Sequence, residues 1–343
     1  MATGYLRADF ETSPGNESNT PTLSTKNIYV PILSFQPTLN PSHLMRDDEL
    51  RNIDEPLAAL TEAYNPNWSI SARLYPDLTA FILKMMLGAP TTTAGNGTIT
   101  DPDSTAIPSG AYRHVWTAPF GPSGINPQTA QFQAAYKDQT VFYKLKGCGC
   151  GSISIESPET GGCRITASGP ALYMARISDP SLSPSYESLS VRPFERGNLT
   201  IATWLANTAN TEDFSLQLAN PQQPYRSLAI ASKFPDQLEK ADTPITCTGS
   251  IPKRVIDADD YDALLNATGF ATKVKWVSDS IIASGYPYKL FVEMANAQYT
   301  DGGPEALANK RRLGASFNWK ATNSSGSAGH VTITLVNATT SYA

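Results

Sequence analysis

The sequence predicts a mainly β protein that contains two tandem copies of one unit, each with a single α-helix. The 26 Pro and 23 Gly residues among 343 are typical of many short strands and turns rather than of a helical bundle. In addition, a period-two strand followed by an amphipathic helix and further strands begins twice, near Trp68 and near Thr243. A chain of this length is enough for two domains of ordinary size.

The first predicted helix follows the alternating strand WSISARLY. In PDLTAFILKMMLG, apolar residues recur at the spacing of a helix with one apolar face. Asp77 is a suitable N-cap, and Gly88 is a suitable residue to end the helix. The sequence therefore predicts a helix at about 77–87 that packs three side chains onto its sheet, those of Leu78, Ile82 and Met85.

The second predicted helix occupies a corresponding place after the strand TPITCTGSI. An aspartate, Asp257 or Asp259, can cap it, and Gly269 ends it about 180 residues after Gly88. We expect this helix at about 258–268, with an apolar face that packs onto the second sheet through Tyr261, Leu264 and Leu265.

The strands downstream of the two helices recur in the same order. A strand that carries a tryptophan comes first, YRHVWTA with Trp116 and ATKVKWVSD with Trp276. The spacing differs by about twenty residues because a Thr-, Gly-, Pro- and Ser-rich insert, 91–110, precedes the first of them. A Tyr-Lys-Leu strand follows at 141–147 and at 286–294, and a hairpin closes each copy, GSISIES with CRITASG and GASFNWKAT with HVTITLVN. Elements that recur in one order predict an internal duplication.

These elements divide the chain into four parts. We expect a polar N-terminal arm at 1–25, a first domain at 26–178, a connecting segment at 179–224 and a second domain at 225–343. The first domain contains a long loop, 40–66, that is charged at its start and amphipathic afterwards. Loops of more than about 12–15 residues in a compact domain are usually functional or disordered.

The sequence contains no pattern that is typical of an enzyme or of a metal site. His43, His114 and His330 lie far apart, and no nucleophile elbow, P-loop or H-E-x-x-H motif occurs. The aspartates of DADDYD (257–262) favour a helix N-terminus rather than calcium binding. Three clustered cysteines lack a fourth ligand and the spacing of a zinc site, namely Cys148, Cys150 and Cys163. We therefore expect neither catalysis nor a cofactor or metal.

Charge and hydropathy restrict the possible partners. Charged residues make up 17% of the chain and the net charge is −5, which argues against a large basic face for DNA binding. The start, MATGYLRADFETS, lacks the pattern of a secretory signal. The most apolar run, AFILKMML (80–87), is too short to cross a bilayer. We expect a soluble protein that is made in the cytoplasm and does not enter a membrane.

Together these segments resemble the major tail tube proteins of long-tailed (siphovirus-type) bacteriophages, here with a duplicated tube domain. The similarity rests on the polar arm followed by TKNIYVPI and a long charged loop, and on a strand before the helix PDLTAFILKMMLG. It also rests on YRHVW (112–116), followed downstream by a glycine-led strand and a closing hairpin at 147–169. It covers about residues 5–175 and, less clearly, the second half.

The resemblance implies two tandem tail-tube-type β-sandwich or barrel domains, each made of two antiparallel sheets with one flanking helix. Sheets of neighbouring units would join around a ring, and stacked rings would form a virion tail tube that conducts genome DNA without binding it specifically. Family members usually form rings of six single units, and three chains with two units each would supply six. The implied partners are further copies of the chain, the tape measure protein, and tail terminator and baseplate proteins.

On this basis the long loop 40–66 is expected to contact a neighbouring subunit or ring. It combines charges that can fix a register with apolar side chains that can form a buried contact, namely Arg46, Asp47, Asp48, Glu49, Arg51, Leu57, Leu60 and Tyr64. The alternative is a carbohydrate- or receptor-binding β-sandwich of a tail fibre or adhesin. That alternative predicts aromatic clusters in exposed loops, whereas Trp116, Trp276 and Trp319 lie in strand patterns.

Overall fold

The fold is mainly β, as the sequence predicts, and 60% of the described residues lie in strands and 8% in two helices. It is taken from a computed structural model, which describes residues 4–44, 60–118, 127–136, 141–180, 185–186, 190–195, 198–202, 213–227, 232–240, 243–253, 258–304, 315–322 and 330–342.

The first half of the chain contributes thirteen of the strands and one helix. They are β1 (Gly4–Ser13), β2 (Thr22–Val30), β3 (Ile32–Thr38), β4 (Pro41–Leu44), β5 (Leu60–Tyr64), β6 (Asn67–Arg73), α1 (Pro76–Leu87), β7 (Thr91–Ala94), β8 (Tyr112–Ala118), β9 (Ala130–Tyr136), β10 (Val141–Cys148), β11 (Ser152–Ser157), β12 (Arg164–Pro170) and β13 (Tyr173–Ile177).

The second half contributes nine strands and the second helix to the described part of the chain. They are β14 (Leu199–Ala202), β15 (Phe214–Ala219), β16 (Gln222–Tyr225), β17 (Gln237–Lys240), β18 (Thr246–Lys253), α2 (Ala258–Leu265), β19 (Phe270–Ala283), β20 (Tyr286–Pro304), β21 (Ala315–Ala321) and β22 (Val331–Asn337).

Two antiparallel sheets hold most of these strands. One has five strands in the order β13-β10-β9-β1-β2. The other has thirteen, in the order β3-β6-β12-β11-β15-β18-β21-β20-β22-β8-β7, with β19 paired to β20 and β14 paired to β19. Two hairpins, β4–β5 and β16–β17, stand apart from them. Neither large sheet closes into a barrel within the described part of one chain.

The two sheets pack face to face over one hydrophobic core. Phe132 of the five-stranded sheet contacts Trp68 of β6, with ring centroids 4.8 Å apart, and Phe35 of β3 at 6.0 Å. The core continues without a break from β1 to β22. Both halves of the chain therefore share one core, and the residue bounds of the two expected domains remain a prediction.

The long strand β20 changes its pairing partners along its length. Leu290 pairs with Trp276 of β19 on one side and with Leu335 of β22 on the other. Further along, Ala297 pairs with Phe270 of β19 and with Ala321 of β21. The strands β21 and β22 therefore lie end to end along the same side of β20.

The predicted hairpin between GASFNWKAT and HVTITLVN is consequently wrong. These segments form β21 and β22, and each pairs with a different stretch of β20 rather than with the other. The physical reason is the length of β20, whose nineteen residues can carry two strands in succession. In the first half, β11 and β12 do form the predicted hairpin.

A four-stranded order occurs twice in the large sheet. In the first half it is β3-β6-β12-β11, which we call the N-terminal block. In the second half it is β15-β18-β21 followed by residues 297–304 of β20, which we call the C-terminal block. The blocks join where β11 pairs with β15. A second order also repeats. The order β13-β10-β9-β1 of the five-stranded sheet matches the order β22-β20-β19-β14 of the large sheet.

This repeated order corrects the pairing of the two tryptophan strands. By its neighbours, the counterpart of β19 is β9, because β9 pairs with β10 and β1 as β19 pairs with β20 and β14. Trp116 lies in β8, and β8 instead pairs with β22 of the second half. Trp116 and Trp276 therefore mark non-equivalent strands, and their indole N–H groups donate to different partners, the carbonyl of Gly88 and the hydroxyl of Ser157.

Two segments expected outside the domains belong to the sheets. The polar arm is wrong for residues 4–13, which form β1 between β2 and β9. The side chains on one face of β1 are fully buried because they complete the core, namely Leu6, Ala8 and Phe10. The connecting segment 179–224 supplies β14 and β15, and β15 opens the C-terminal block.

The two helices differ in burial. In α1, Leu78, Ile82 and Met85 are at most 2% exposed. Helix α2 ends at Leu265, three residues before the predicted end, and its face is not the predicted one. Leu265 is 72% exposed and Tyr261 38%, while Leu264 is partly buried against the core. The expectation that Tyr261 and Leu265 pack inward is therefore wrong.

Candidate assembly surfaces

A buried ion pair fixes the rotation of α2. The ammonium of Lys253, at the end of β18, lies 2.6 Å and 2.8 Å from the two carboxylate oxygens of Asp260. The hydroxyl of Tyr299 donates to the same carboxylate at 2.9 Å. Because Asp260 and Ala263 are the buried residues of α2, Tyr261 and Leu265 lie on its outer side.

Helix α1, in contrast, is enclosed between the two halves of the chain. Phe81 stacks on Phe10 of β1, with ring centroids 4.1 Å apart. The ammonium of Lys84 donates to the backbone carbonyl of Tyr342 near the C-terminus. The carboxylate of Asp77 accepts a hydrogen bond from Asn337 at 2.9 Å. Apart from Asp77, the residues of α1 are buried.

The face of the two blocks that points away from the core carries mostly neutral polar side chains, together with a charged row near one end that contains Arg73, Arg164 and Glu156. Because side chains alternate along a strand, the residues between the buried apolar positions share this face. One row of paired residues crosses all eight strands, in the order Ser34, Ser71, Thr166, Ser154, Gln217, Thr248, Lys320 and Gln298. These side chains are half-buried or exposed, and Lys320 is the one charge in the row.

Each end of this eight-stranded array is a strand edge. Within the described part of the chain, β3 pairs with β6 alone, and residues 298–304 of β20 pair with β21 alone. Leu33 of β3 is 52% exposed. Unpaired strand edges are places where another strand can add.

The first strands of the two blocks share a short sequence pattern. Residues 33–36 of β3 read LSFQ, and residues 214–217 of β15 read FSLQ. Phe35 and Leu216 occupy equivalent buried positions. Leu33 corresponds to Phe214 in this pattern, but Leu33 lies at an irregularity in the pairing of β3 with β6, whereas Phe214 packs against Trp276 and Trp319 and is 1% exposed.

The expected long loop 40–66 is in its described part a β-hairpin, β4–β5. Leu60 is 51% exposed. Tyr64 packs within its own chain, since its ring stacks on Phe234 with centroids 4.8 Å apart and Arg226 donates to its carbonyl at 2.5 Å. The remaining predicted contact residues lie outside the described part of the chain, namely Arg46, Asp47, Asp48, Glu49, Arg51 and Leu57.

A second hairpin, β16–β17, occupies the same place in the second half, directly after β15. The sequence analysis does not predict it, and the boundary expected between the connecting segment and the second domain, at residue 224, falls within β16. A local signal was available, since an Asn-Pro pair follows each first strand, Asn40-Pro41 and Asn220-Pro221. Such pairs favour the start of a turn.

The insert between β7 and β8 folds over the second half. The carboxylate of Asp101 accepts hydrogen bonds from Lys289 at 2.7 Å and from Tyr286. Asp103 forms ion pairs with Lys273 and Lys275 at 2.6 Å and 2.7 Å. Burial alone would raise the pKa of Asp101, but the hydrogen bonds from Lys289 and Tyr286 outweigh it, so this pKa is lowered.

The cysteine- and glycine-rich stretch is structural in this fold. The backbone N–H of Gly147 donates to the buried carboxylate of Glu11 at 3.0 Å, and burial raises the pKa of that carboxyl. Four buried cysteines form no disulfide, namely Cys148, Cys150, Cys163 and Cys247. Within the residues that the structure describes, no group of three or more His, Cys, Asp or Glu side chains is placed to hold a metal ion.

Neither described helix has the length and apolar character that a membrane-spanning helix requires. The side chains of Trp68, Trp116, Trp276 and Trp319 are at most 2% exposed. These tryptophans therefore form no exposed aromatic cluster of the kind that a carbohydrate-binding surface uses.

Comparison with known proteins identifies the family of the chain. A family model described as phage tail tube protein matches residues 1–321, which include both blocks. The comparison with curated proteins gives no significant match. Because the family match extends over most of the sequence, the chain belongs to the phage tail tube protein family.

Proposed function

We propose that three chains close into a ring with pseudo-sixfold symmetry and that stacked rings form the phage tail tube. Membership of the family makes the chain a structural component of the virion tail. The observation that carries the finer proposal is the four-stranded block, which occurs twice in one array with a strand edge at each end. Contacts between unlike edges close into rings when the rotation per subunit permits.

Negative-stain or cryo-electron microscopy of the purified protein tests this proposal. We expect tubes or stacked rings, and native mass spectrometry of rings should give three chains. Rings of six chains would contradict the trimer. A protein that stays monomeric, at concentrations where tail tube proteins assemble, would contradict the tube role itself.

We further propose that the mostly neutral polar face of the eight-stranded array lines the lumen. Hydroxyl and amide side chains keep water at the wall, while three cations, Arg73, Arg164 and Lys320, are present on this face to attract the phosphates of passing DNA, and Glu156 lies opposite Arg164. The genome would then move through the tube without specific binding. The tape measure protein and the terminator and baseplate proteins would be partners at the tube's interior and ends, and the chain would act without catalysis or a cofactor.

Charge added to this face tests the lumen assignment. In phage that carry Ser154→Lys with Thr248→Lys, we expect intact tubes but slower DNA ejection, because each added lysine attracts phosphate. A lysine at the exposed turn residue Ser18 is the matched control and should leave ejection unchanged. Equal ejection rates for the unmodified phage, the double lysine variant and the Ser18 control would place this face elsewhere in the tube.

The long loop 40–66 is proposed to connect successive rings. In the described hairpin β4–β5, Tyr64 is anchored to its own chain, whereas Leu60 at the other end of β5 is 51% exposed and can contact a neighbour. Deletion of residues 42–60 should leave soluble rings or monomers that do not elongate. Normal tubes from the deletion variant would assign the stacking role to another segment.

A further inference from the structure

We infer that the contact between chains copies the junction between the two halves of one chain. In this contact, residues 297–304 of β20 pair antiparallel with β3 of the next chain, and that chain covers the exposed side of α2. The inference rests on the proposed ring and identifies the surface through which it closes.

The internal junction provides the template. There β11, the last strand of the N-terminal block, pairs antiparallel with β15, the first strand of the C-terminal block, and Ser152 lies opposite Ala219. The last strand of the C-terminal block is the stretch 297–304, and the first strand of the N-terminal block is β3. The chain thus carries both sides of a second junction of the same kind, at opposite ends of one array.

The shared pattern LSFQ and FSLQ fixes the register of this second junction. It aligns Gln36 with Gln217 and therefore Thr38 with Ala219. In the N-terminal block, the row of paired residues that starts at Gln36 reaches Ser152 and then Ala219. In the C-terminal block, the row that starts at Gln217 reaches Gln298 through Thr248 and Lys320. Gln298 should therefore lie opposite Thr38 of the next chain.

Residues near the internal junction are buried, whereas their counterparts near the free edges are exposed, as expected if a neighbouring chain covers them. Leu33, which lies at the irregularity in the pairing of β3 with β6, is 52% exposed, whereas its counterpart Phe214 is 1% exposed. Tyr261 and Leu265 of α2 are exposed, whereas the corresponding turns of α1 are buried between the two halves. A second copy in the register above would place its first strand beside residues 297–304 and its N-terminal half beside α2.

A second copy accounts for these surfaces better than an unrelated partner does. The internal junction already pairs the strands that correspond to the two free edges. β15 corresponds to β3, β11 corresponds to residues 297–304, and β11 pairs with β15. Because the edges lie at opposite ends of the array, each chain would offer one edge to each neighbour. Pairing them around a ring removes both unpaired edges at once.

Disulfide trapping tests the register. Opposed residues of antiparallel strands have Cα atoms about 4.5–5.5 Å apart, within the range that a disulfide bridges. In tubes of Gln298→Cys with Thr38→Cys, oxidation should link most chains to a neighbour, giving dimers and trimers on a non-reducing gel. Each single variant should stay at the monomer position, because the native thiols are buried.

Two further variants serve as controls. Ser152→Cys with Ala219→Cys reproduces the internal junction and should form its disulfide within one chain, which shows that oxidation is complete. Gln298→Cys with Ser34→Cys should not crosslink, since four residues along a strand correspond to about 13 Å.

The outcomes separate the inference from the proposed function. If tubes form and the internal control is oxidised, but Gln298→Cys with Thr38→Cys gives no link between chains, the inferred pairing is wrong while the tube role stands. If the unmodified chain forms no tubes, the proposed function itself fails. In a second measurement, Leu265→Glu should reduce tube yield at least tenfold relative to Ser18→Glu, with both variants folded. Equal yields would remove α2 from the contact.

Discussion

The ion pair between Lys253 and Asp260 decides which side of α2 remains available, so its removal tests the fold and the proposed contact together. Both side chains are 1% exposed, and Tyr299 completes the hydrogen bonding of the carboxylate. Removing one member of a buried pair leaves the other charge in the core without its counterion, which costs about 3–5 kcal/mol. We expect Lys253→Met and Asp260→Leu, taken singly, each to lower the free energy of unfolding by about that amount.

The double variant Lys253→Met with Asp260→Leu separates the pair from its surroundings. When both charges are replaced by apolar side chains of similar size, the desolvation cost disappears with the attraction, so stability should return close to that of the unmodified chain. Urea unfolding of the unassembled protein, followed by tryptophan fluorescence, gives the four free energies of this double-mutant cycle.

The reasoning fails if the free energy of unfolding of either single variant falls by less than about 1 kcal/mol, because a buried charge without its counterion should destabilise the fold by more than that. It also fails if the two single effects add in the double variant, since contacting residues should be coupled. The single variants should in addition assemble poorly, because α2 would no longer hold Tyr261 and Leu265 at the surface.

The remaining predictions concern other parts of the fold. Ile82→Ala should cost about 2–5 kcal/mol of unfolding free energy, because Ile82 is 2% exposed, whereas Leu265→Ala should change the unassembled chain by less than about 0.5 kcal/mol; similar losses would mean that the two helices are equally buried. Because the pKa of Asp101 is lowered in the folded chain, its carboxylate stabilises the fold above its ordinary pKa of 3.8, and this stabilisation is lost as the pH falls through the lower folded value. The free energy of unfolding, measured between about pH 3 and pH 7, should therefore fall less steeply at the acid end for Asp101→Asn than for the unmodified chain. Burial raises the pKa of the Cys150 and Cys247 thiols, so a thiol reagent should label them at the rate of unfolding, and rapid labelling of the folded protein would show that they are accessible.

Local patterns in the sequence predicted the elements whose structure is decided locally. The helix α1 was predicted within one residue at its start because its apolar spacing and its following glycine act within a few turns, although its N-cap is Tyr75 rather than the predicted Asp77, which lies inside the first turn. The alternating strands β6, β11 and β12 were predicted for a similar reason, since a half-buried strand imposes its period on its own residues.

Partners far apart in the chain were not predictable in this way. The segments of β21 and β22 look like a hairpin because they are separated by a short polar stretch, but hydrogen bonding to β20 decides their pairing. The tryptophan of β8 suggested an equivalence with β19, but an indole can be buried on any strand that lines the core, so it does not identify a particular strand. The counterpart of the long hairpin was missed because its sequence is polar and shares little with the first beyond an Asn-Pro pair.

The sequence by itself determined the mainly β class, the presence of a repeated unit with one helix each, and the resemblance to tail tube proteins, because composition, periodicity and element order are properties of the chain alone. The tertiary structure decided which strands repeat, where the array has its edges and which side of α2 faces outward. These depend on the register of hydrogen bonds between strands up to hundreds of residues apart, and on one buried pair, Lys253 with Asp260, whose desolvation is tolerated only where the fold brings the two charges together.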